Sequence, residues 1–451
     1  MENIKENVNK ISYLELEASL NRAFFTKNTV FSTIRLLFLK YISDNFIGAM
    51  SKEDFQSYAL VQKMFAARDI EGGPNALYPV LTIIDECYRF DGIIRESINE
   101  YAKELFGLDA SWNRKSASLI DFKAIMNALA EIDLTENAEK TKGKELAREL
   151  ILQLQQRNLG NRMFSDYVSR TEVGELANKL LQVQDNEHFF DFTAGCGSTT
   201  LAIVGDKNCK ITNYDLNRES LSVLAMLCIM QGYKDINIKC VDSFRDYSEP
   251  VVADKIFVDA PFGMKIEDHF TNQKKESIIL AIEKTIESLS ENGLGVLTVN
   301  SGLLFGSGKA HKETKRKLID DGYLKSVIAL PISYFGTVVS INMLVVSKEK
   351  NEKVIFVNAN SKSFLQYLIK ASSREVSISK EGVELLADIV NNEKEVKGLS
   401  VSVMNKEVEA NDYNLMPTTY VKELIEKETR TIEDIDSELE KLYAQLGLKQ
   451  V

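Results

Sequence analysis

Histidine and cysteine are scarce in this sequence: three and five residues respectively, with no Cys-x-x-Cys pair and no histidine at metal-ligand spacing from a cysteine. That composition argues against a zinc centre and predicts that no metal is bound. Unpaired cysteines of this kind fit a reducing cytoplasm. Long apolar runs are also missing; none approaches the ~20 residues that a membrane-spanning helix needs. The first ten residues, MENIKENVNK, mix acids and bases and lack the apolar core of a secretory signal. A cytoplasmic protein without membrane association is therefore expected. The third absence is a basic excess: 55 Lys and Arg stand against 66 Asp and Glu, a formal charge of −11. A chain that grips nucleic acid unaided usually carries the opposite sign. Either this one does not bind nucleic acid, or a partner supplies most of the phosphate contacts.

What is present is ample core-forming material. With 451 residues, 44% of them hydrophobic and 27% charged, the chain is long enough for two or three domains. Residues 1–160 read as a helical N-terminal domain. Ile34, Leu37, Phe38, Tyr41 and Ile42 recur at the spacing of one buried helix face, and Gly72–Pro74 break the pattern as a loop. From 161 to 400 short apolar runs alternate with helical stretches. Strands are expected at 187–192, 210–215, 237–241, 255–259, 294–299, 325–330 and 341–347, with helices at 217–231, 275–291 and 311–321. This alternation predicts an α/β domain built on a seven-stranded, mostly parallel, Rossmann-like sheet. The last two strands are separated by about ten residues, too few for a helical crossover, so they should pair antiparallel. Residues 401–451 form a helical tail, in which Ile432, Ile435, Leu439, Leu442 and Leu446 keep a 3-4-3-4 seam suited to a partner helix.

The chemistry concentrates at strand ends. DFTAGCGSTT, 191–200, follows the first strand, and its glycines 195 and 197 permit a tight turn and close approach of a ligand to the backbone. No Gly-Lys-Ser/Thr follows, which disfavours a nucleoside-triphosphate loop. Asp215 closes the second strand twenty residues after Gly195, where a carboxylate can accept both hydroxyls of a ribose. That pair alone would also suit a nicotinamide dinucleotide, but Thr200 stands where that fingerprint wants its third glycine. Asp242 follows the third strand and can accept from the amine of an adenine. Asp191, Asp215 and Asp242 therefore converge on the crevice where such sheets bind ligands. Cys196, inside the turn, reads as a small filler, since no base is recognisable beside it. The cluster Lys309, His311, Lys312, Lys315, Arg316 and Lys317 could meet phosphates, but a solvated helix face is the commoner explanation.

VDAPFG, 258–263, ends the fourth strand across the switch point from the glycine turn. It resembles the Asp/Asn-Pro-Pro-aromatic motif of amino-methyltransferases. The chain around it resembles the modification (M) subunit of type I restriction-modification systems. IRLLFLKYISD at 34–44, FSDYVSRTEVGELANKLL at 164–181, SGLLFGSG at 301–308, VIALPISYFGTVVSINMLVVSKEK at 327–350 and NDYNLMPTTYV at 411–421 carry the likeness. The four-residue motif alone would also fit protein-glutamine or RNA amino-methyltransferases; the longer segments are the specific ones.

The resemblance implies transfer of a methyl group from S-adenosylmethionine to the adenine amino group in DNA. It implies catalytic roles for Asp259, Ala260, Pro261 and Phe262, and cofactor contacts from Tyr167, Ser169, Thr171, Asp191, Thr193, Gly195, Gly197, Ser198, Asp215 and Asp242. The expected partners are DNA, a specificity (S) subunit, a second M subunit and a restriction (R) subunit, which would reconcile DNA chemistry with an acidic chain. Three positions depart from the family's usual pattern: Ala260 and Phe192 replace prolines, and Ser169-Arg170 replaces Thr-Pro. Those departures define the rival expectation, an inactive methyltransferase-fold scaffold that clamps DNA or docks a partner.

Overall fold

A computed structural model describes residues 29–45, 77–98, 127–135, 143–150, 169–245, 250–267, 274–333, 339–370, 376–422 and 437. Its centre is a mixed sheet of nine strands: β1 His188–Asp191, β2 Lys210–Asp215, β3 Ile236–Cys240, β4 Ala253–Val258, β5 Leu289–Val299, β6 Leu324–Ser333, β7 Ser340–Ser347, β8 Lys353–Asn358 and β9 Ser400–Met404. Their order across the sheet is β9-β8-β6-β7-β5-β4-β1-β2-β3. Strands β1 to β5 run parallel to their neighbours within that set. β7 is antiparallel to both β5 and β6, as the short connection before it requires. The seven expected strands are thus contiguous, and the expectation of seven is corrected by two more at the edge. β8 pairs parallel with β6, and β9 antiparallel with β8.

Alternation along each strand divides the core in two. Phe189 and Phe257 face one side of the sheet, and Phe190, Ile256 and Val258 the other, every one of them buried. Burial on both faces is why these strands read as continuous apolar runs. The first face is covered by α1 Thr29–Asn45, α2 Leu77–Tyr88, α3 Thr171–Leu181, α4 Ser198–Val204, α5 Arg218–Gln231 and α9 Lys380–Asn391. The second is covered by α6 Ser277–Ser288, α7 Ser301–Phe305, α8 Lys309–Asp320 and the segments α10 Asn405–Ala410 and α11 Pro417–Tyr420.

The described parts of residues 1–150 are helical, and the stripe from Ile34 to Ile42 is buried as expected. They dock on α5: Arg35 of α1 pairs with Glu219 at 3.1 Å and donates to Ser97, while Arg218 pairs with Glu96 at 2.7 Å. At the other end, the division expected near residue 400 falls inside β9, and the chain to Val421 packs on the second core. The seam from Ile432 to Leu446, the loop at 72–74 and the boundary near 160 lie outside the described residues.

The ring of Phe356 in β8 is fully buried and stacks on Tyr420 with centroids 4.3 Å apart. Phe356→Ala should therefore cost about 3–5 kcal/mol in urea unfolding of the full chain. A loss below about 1 kcal/mol would mean that residues 417–420 do not pack there.

Candidate active site at the carboxyl edge of the sheet

Four acids stand in a row on four neighbouring strands. Asp259 follows β4, Asp191 ends β1, Asp215 ends β2 and Asp242 lies just past β3, and β4-β1-β2-β3 is the spatial order. The strand order reverses between β4 and β1, so the row straddles the switch point. Among the described residues, no Lys, Arg or His lies within ion-pair distance of Asp191 or Asp215. Asp242 meets Arg245 at 3.7 Å and accepts from the Phe244 amide.

The glycine turn is pinned by this row. Asp191, fully buried, accepts from the Thr193 amide at 2.9 Å, the Thr193 hydroxyl at 3.3 Å and the Thr199 hydroxyl at 3.3 Å. Asp215 Oδ2 accepts from the Gly195 amide at 2.9 Å, and Oδ1 from the Asn217 amide at 2.8 Å. Gly197 adopts φ +82°, and a Cβ there would sit 2.1 Å from Leu224 Cδ1, so any other residue would be strained in the turn and would force the Leu224 side chain to shift. Thr200, where a dinucleotide site would need glycine, is buried and donates to Asn213 at 3.0 Å. Ser198 is buried at the start of α4, and Thr171 opens α3. Cys196 is buried, and burial pushes its thiol up to about 12, as befits a filler rather than a nucleophile.

The Asp259 loop joins the same network. Its amide donates to Thr193 Oγ1 at 3.0 Å, so one hydroxyl links the glycine turn to the motif. Ser169 donates to Asp259 Oδ2 at 2.5 Å, and Thr298 donates to Oδ1. The register explains Thr298: Val258 pairs with Leu297, which brings the next residue of each strand side by side. Ala260 is buried, and the carbonyl of Pro261 accepts from Ser277 at 2.5 Å. Ser277 in turn donates its amide to Met264 O at 2.8 Å, so hydrogen bonds hold the loop. Phe262 is half-buried.

Phe192 is held by packing. Its buried ring contacts Phe190 and Phe244, and Lys284 Nζ lies 5.5 Å from its centroid. The structure thus brings together Ser169, Asp191, Thr193, Gly195, Asp215 and Asp259, with Asp242 at one end. Tyr167 lies outside the described residues. Sequence reasoning missed Thr298, Ser277 and Thr199; the available signal was a hydroxyl residue in or beside an otherwise apolar element. The basic cluster also needs one correction. Lys315 is buried and donates to Gly306 O at 2.9 Å and Leu304 O at 3.4 Å, closing the end of α7, whereas Lys309 and Arg316 are exposed.

Over residues 148–429, more than half its length, the chain matches the N-6 DNA Methylase family, and it belongs to that family. It is similar to the type I restriction enzyme MjaVIII methylase subunit of Methanocaldococcus jannaschii, 25% identical over 306 residues, 60% of this chain and 52% of that protein. A second relative is the type I restriction enzyme MpnII methylase subunit of Mycoplasma pneumoniae, 27% identical over 157 residues, 34% of this chain and 28% of that one. The chain spans about half the length, or less, of the curated relatives it matches. Its fold is similar to the type I restriction-modification methyltransferase subunit from Streptococcus thermophilus, with TM-score 0.68 and 15% identity over 93% of this chain and 100% of that one. A chain of another type I restriction-modification assembly gives TM-score 0.64 at 15% identity, over 96% and 95%. At such identities the structural likeness speaks to the fold alone.

Burial, with a smaller push from the charge of Asp215, raises the Asp191 carboxyl to about 7, against hydrogen bonds from Thr193 and Thr199 that favour ionisation. The folded chain then keeps a proton that the unfolded chain releases near the ordinary carboxylate value. Stability from this group is full below that value and is lost as pH rises to about 7, by roughly 4 kcal/mol in all. Asp191→Asn removes the titration. Relative to wild type, its unfolding temperature should climb between about pH 4 and about pH 7 in ligand-free thermal scans and level off above. A pH-independent offset between the two proteins would contradict this assignment.

Proposed function

We propose that this chain is a methyl-transferring subunit that moves a methyl group from S-adenosylmethionine to the exocyclic amine of adenine in DNA, within a type I restriction-modification complex. The observation that carries the reading is the acid row hydrogen-bonded to the Asp259 loop. Family membership supports amino methylation of DNA; the geometry supports the finer roles. Asp215, without a cationic partner among the described residues, suits a positively charged ligand, and such a charge nearby would favour release of the proton that burial keeps on Asp191. Asp215 would hold the ribose hydroxyls and Asp242 the adenine amine of that cofactor. Thr193, Gly195, Gly197 and Ser198 would form the turn against which it lies, with Tyr167, Ser169 and Thr171 on the preceding segment. When bound, S-adenosylmethionine supplies an electrophilic methyl on sulfur.

The remaining work falls to the chain itself. An adenine amine is a poor nucleophile because its lone pair is delocalised into the ring. Hydroxyls of Ser169 and Thr298, one on each oxygen, orient the Asp259 carboxylate. Asp259 would accept one amine hydrogen and the Ala260 carbonyl the other, favouring a tetrahedral nitrogen whose lone pair is aimed at the methyl. Phe262 would stack on the target base once it has left the duplex. A formal charge of −11 supports leaving most of the grip on DNA to a specificity subunit; a second modification subunit and a restriction subunit would be further partners. The chain beyond residue 422 is proposed as the assembly segment.

The test is methyl incorporation from labelled cofactor into DNA carrying the partner's recognition site, with N6-methyladenine as the product. Asp259→Ala should abolish incorporation and leave cofactor affinity nearly intact. Asp215→Ala should weaken the cofactor by about 1–3 kcal/mol in calorimetry. A complex that binds both DNA and cofactor yet transfers nothing would make the chain a scaffold.

A further inference from the structure

A buried ion pair stands at the start of α3. Arg170, whose φ of −64° is the value proline would impose, is the N-cap position of α3 and is buried. Its guanidinium pairs with Glu172 at 3.0 Å and donates to the carbonyl of Val376 at 2.9 Å. Glu172 also accepts from Ser377 at 2.5 Å. Val376 and Ser377 belong to a two-stranded hairpin, Leu368–Lys370 with Val376–Ile378, outside the main sheet. Burial alone would push the Glu172 carboxyl up, but the hydrogen bonds and charge of Arg170 and the Ser377 hydroxyl bring it below the ordinary value, so the pair is charged.

The neighbour of Arg170 in sequence is Ser169, which donates to Asp259. A buried charged pair is weak evidence for stability, because apolar residues of similar volume often stabilise as well or better. What such a pair does supply is fixed geometry, since a guanidinium holds its partners in set directions. We infer that Arg170, Glu172 and Ser377 are positioning residues: they lock the 169–171 segment to the 376–378 strand, and that lock aims the Ser169 hydroxyl at Asp259. They act through Ser169 and do not touch the reacting atoms. The inference rests on the reading of Asp259 as the residue that receives the target amine.

Two measurements separate this inference from that reading. The first uses the assembled complex and the paired replacement Arg170→Met with Glu172→Met, which removes both charges and leaves neither unpaired. Single-turnover methyl transfer at saturating cofactor should fall by about tenfold to a hundredfold, beyond any loss of cofactor affinity from loosening the 169–171 segment. In a Ser169→Ala background the same pair should cause no further loss, because a device that acts through Ser169 has nothing left to aim. A loss that multiplies with that of Ser169→Ala would overturn the inference. The second measurement needs no turnover. In Ser169→Cys the thiol is held on the Asp259 carboxylate, so iodoacetamide should label it slowly, read by peptide mass spectrometry against the native cysteines. Adding the paired methionines should speed labelling at position 169 about tenfold. Unchanged labelling would refute the positioning role, whether or not the wild-type complex transfers methyl; no transfer by wild type, with labelling accelerated, would refute the enzymatic reading alone.

Discussion

Thr193 carries a hydroxyl that donates to Asp191 and accepts from the amide of Asp259. That one group joins the turn after β1 to the loop after β4, two chain segments on opposite sides of the switch point. Much else in the site depends on it. Asp191 has no counter-cation among the described residues and is held by three hydrogen bonds, two of them from Thr193. The Asp259 loop relies on Thr193 at one end and Ser277 at the other. A buried network of this kind is rigid only when every member is satisfied. Both halves of the proposed reaction, holding the donor and presenting the acceptor, are therefore set by the same contact.

Three turns of the site are each held by a different physical device. Phe192 is fixed by aromatic packing. Ala260 lies in a loop held by side-chain hydroxyls. Arg170 is fixed by a buried ion pair with Glu172 and by the Val376 carbonyl. Rigidity at these positions comes from long-range contacts instead of local backbone restriction. Such contacts couple the site to other elements, notably the 376–378 strand and α6.

The sequence made the central strands legible because apolar runs such as HFFDF and KIFVD end directly in turns and acids, and burial on both faces forbids polar interruption. The antiparallel β6–β7 pair was readable from its short connection alone. β8 was hidden behind the charged run Lys348–Lys353, and β9, SVSVM, alternates serine with valine as a strand does but over only five residues, too few to stand out. The row Asp191, Asp215, Asp242 and Asp259 was visible because each acid follows its own strand. The hydroxyls that hold Asp259 were not, since Ser169 and Thr298 lie 90 and 39 residues away in the chain; sheet register brings Thr298 to it, and the packing of the segment before α3 brings Ser169. Lys315 looked solvated because its helix is basic all round, and only tertiary packing selects which lysine turns inward.

The central claim is that donor binding and acceptor presentation share the Thr193 bridge. Its most direct test is the affinity of Thr193→Val for S-adenosylmethionine, measured by calorimetry alongside methyl transfer by the assembled complex. Valine keeps the shape and removes the hydroxyl, leaving the Asp259 amide without its acceptor and Asp191 with one donor fewer. The account predicts that affinity falls by roughly tenfold and that transfer falls further than affinity does. A variant that binds S-adenosylmethionine as tightly as wild type and transfers methyl at the same rate would contradict it.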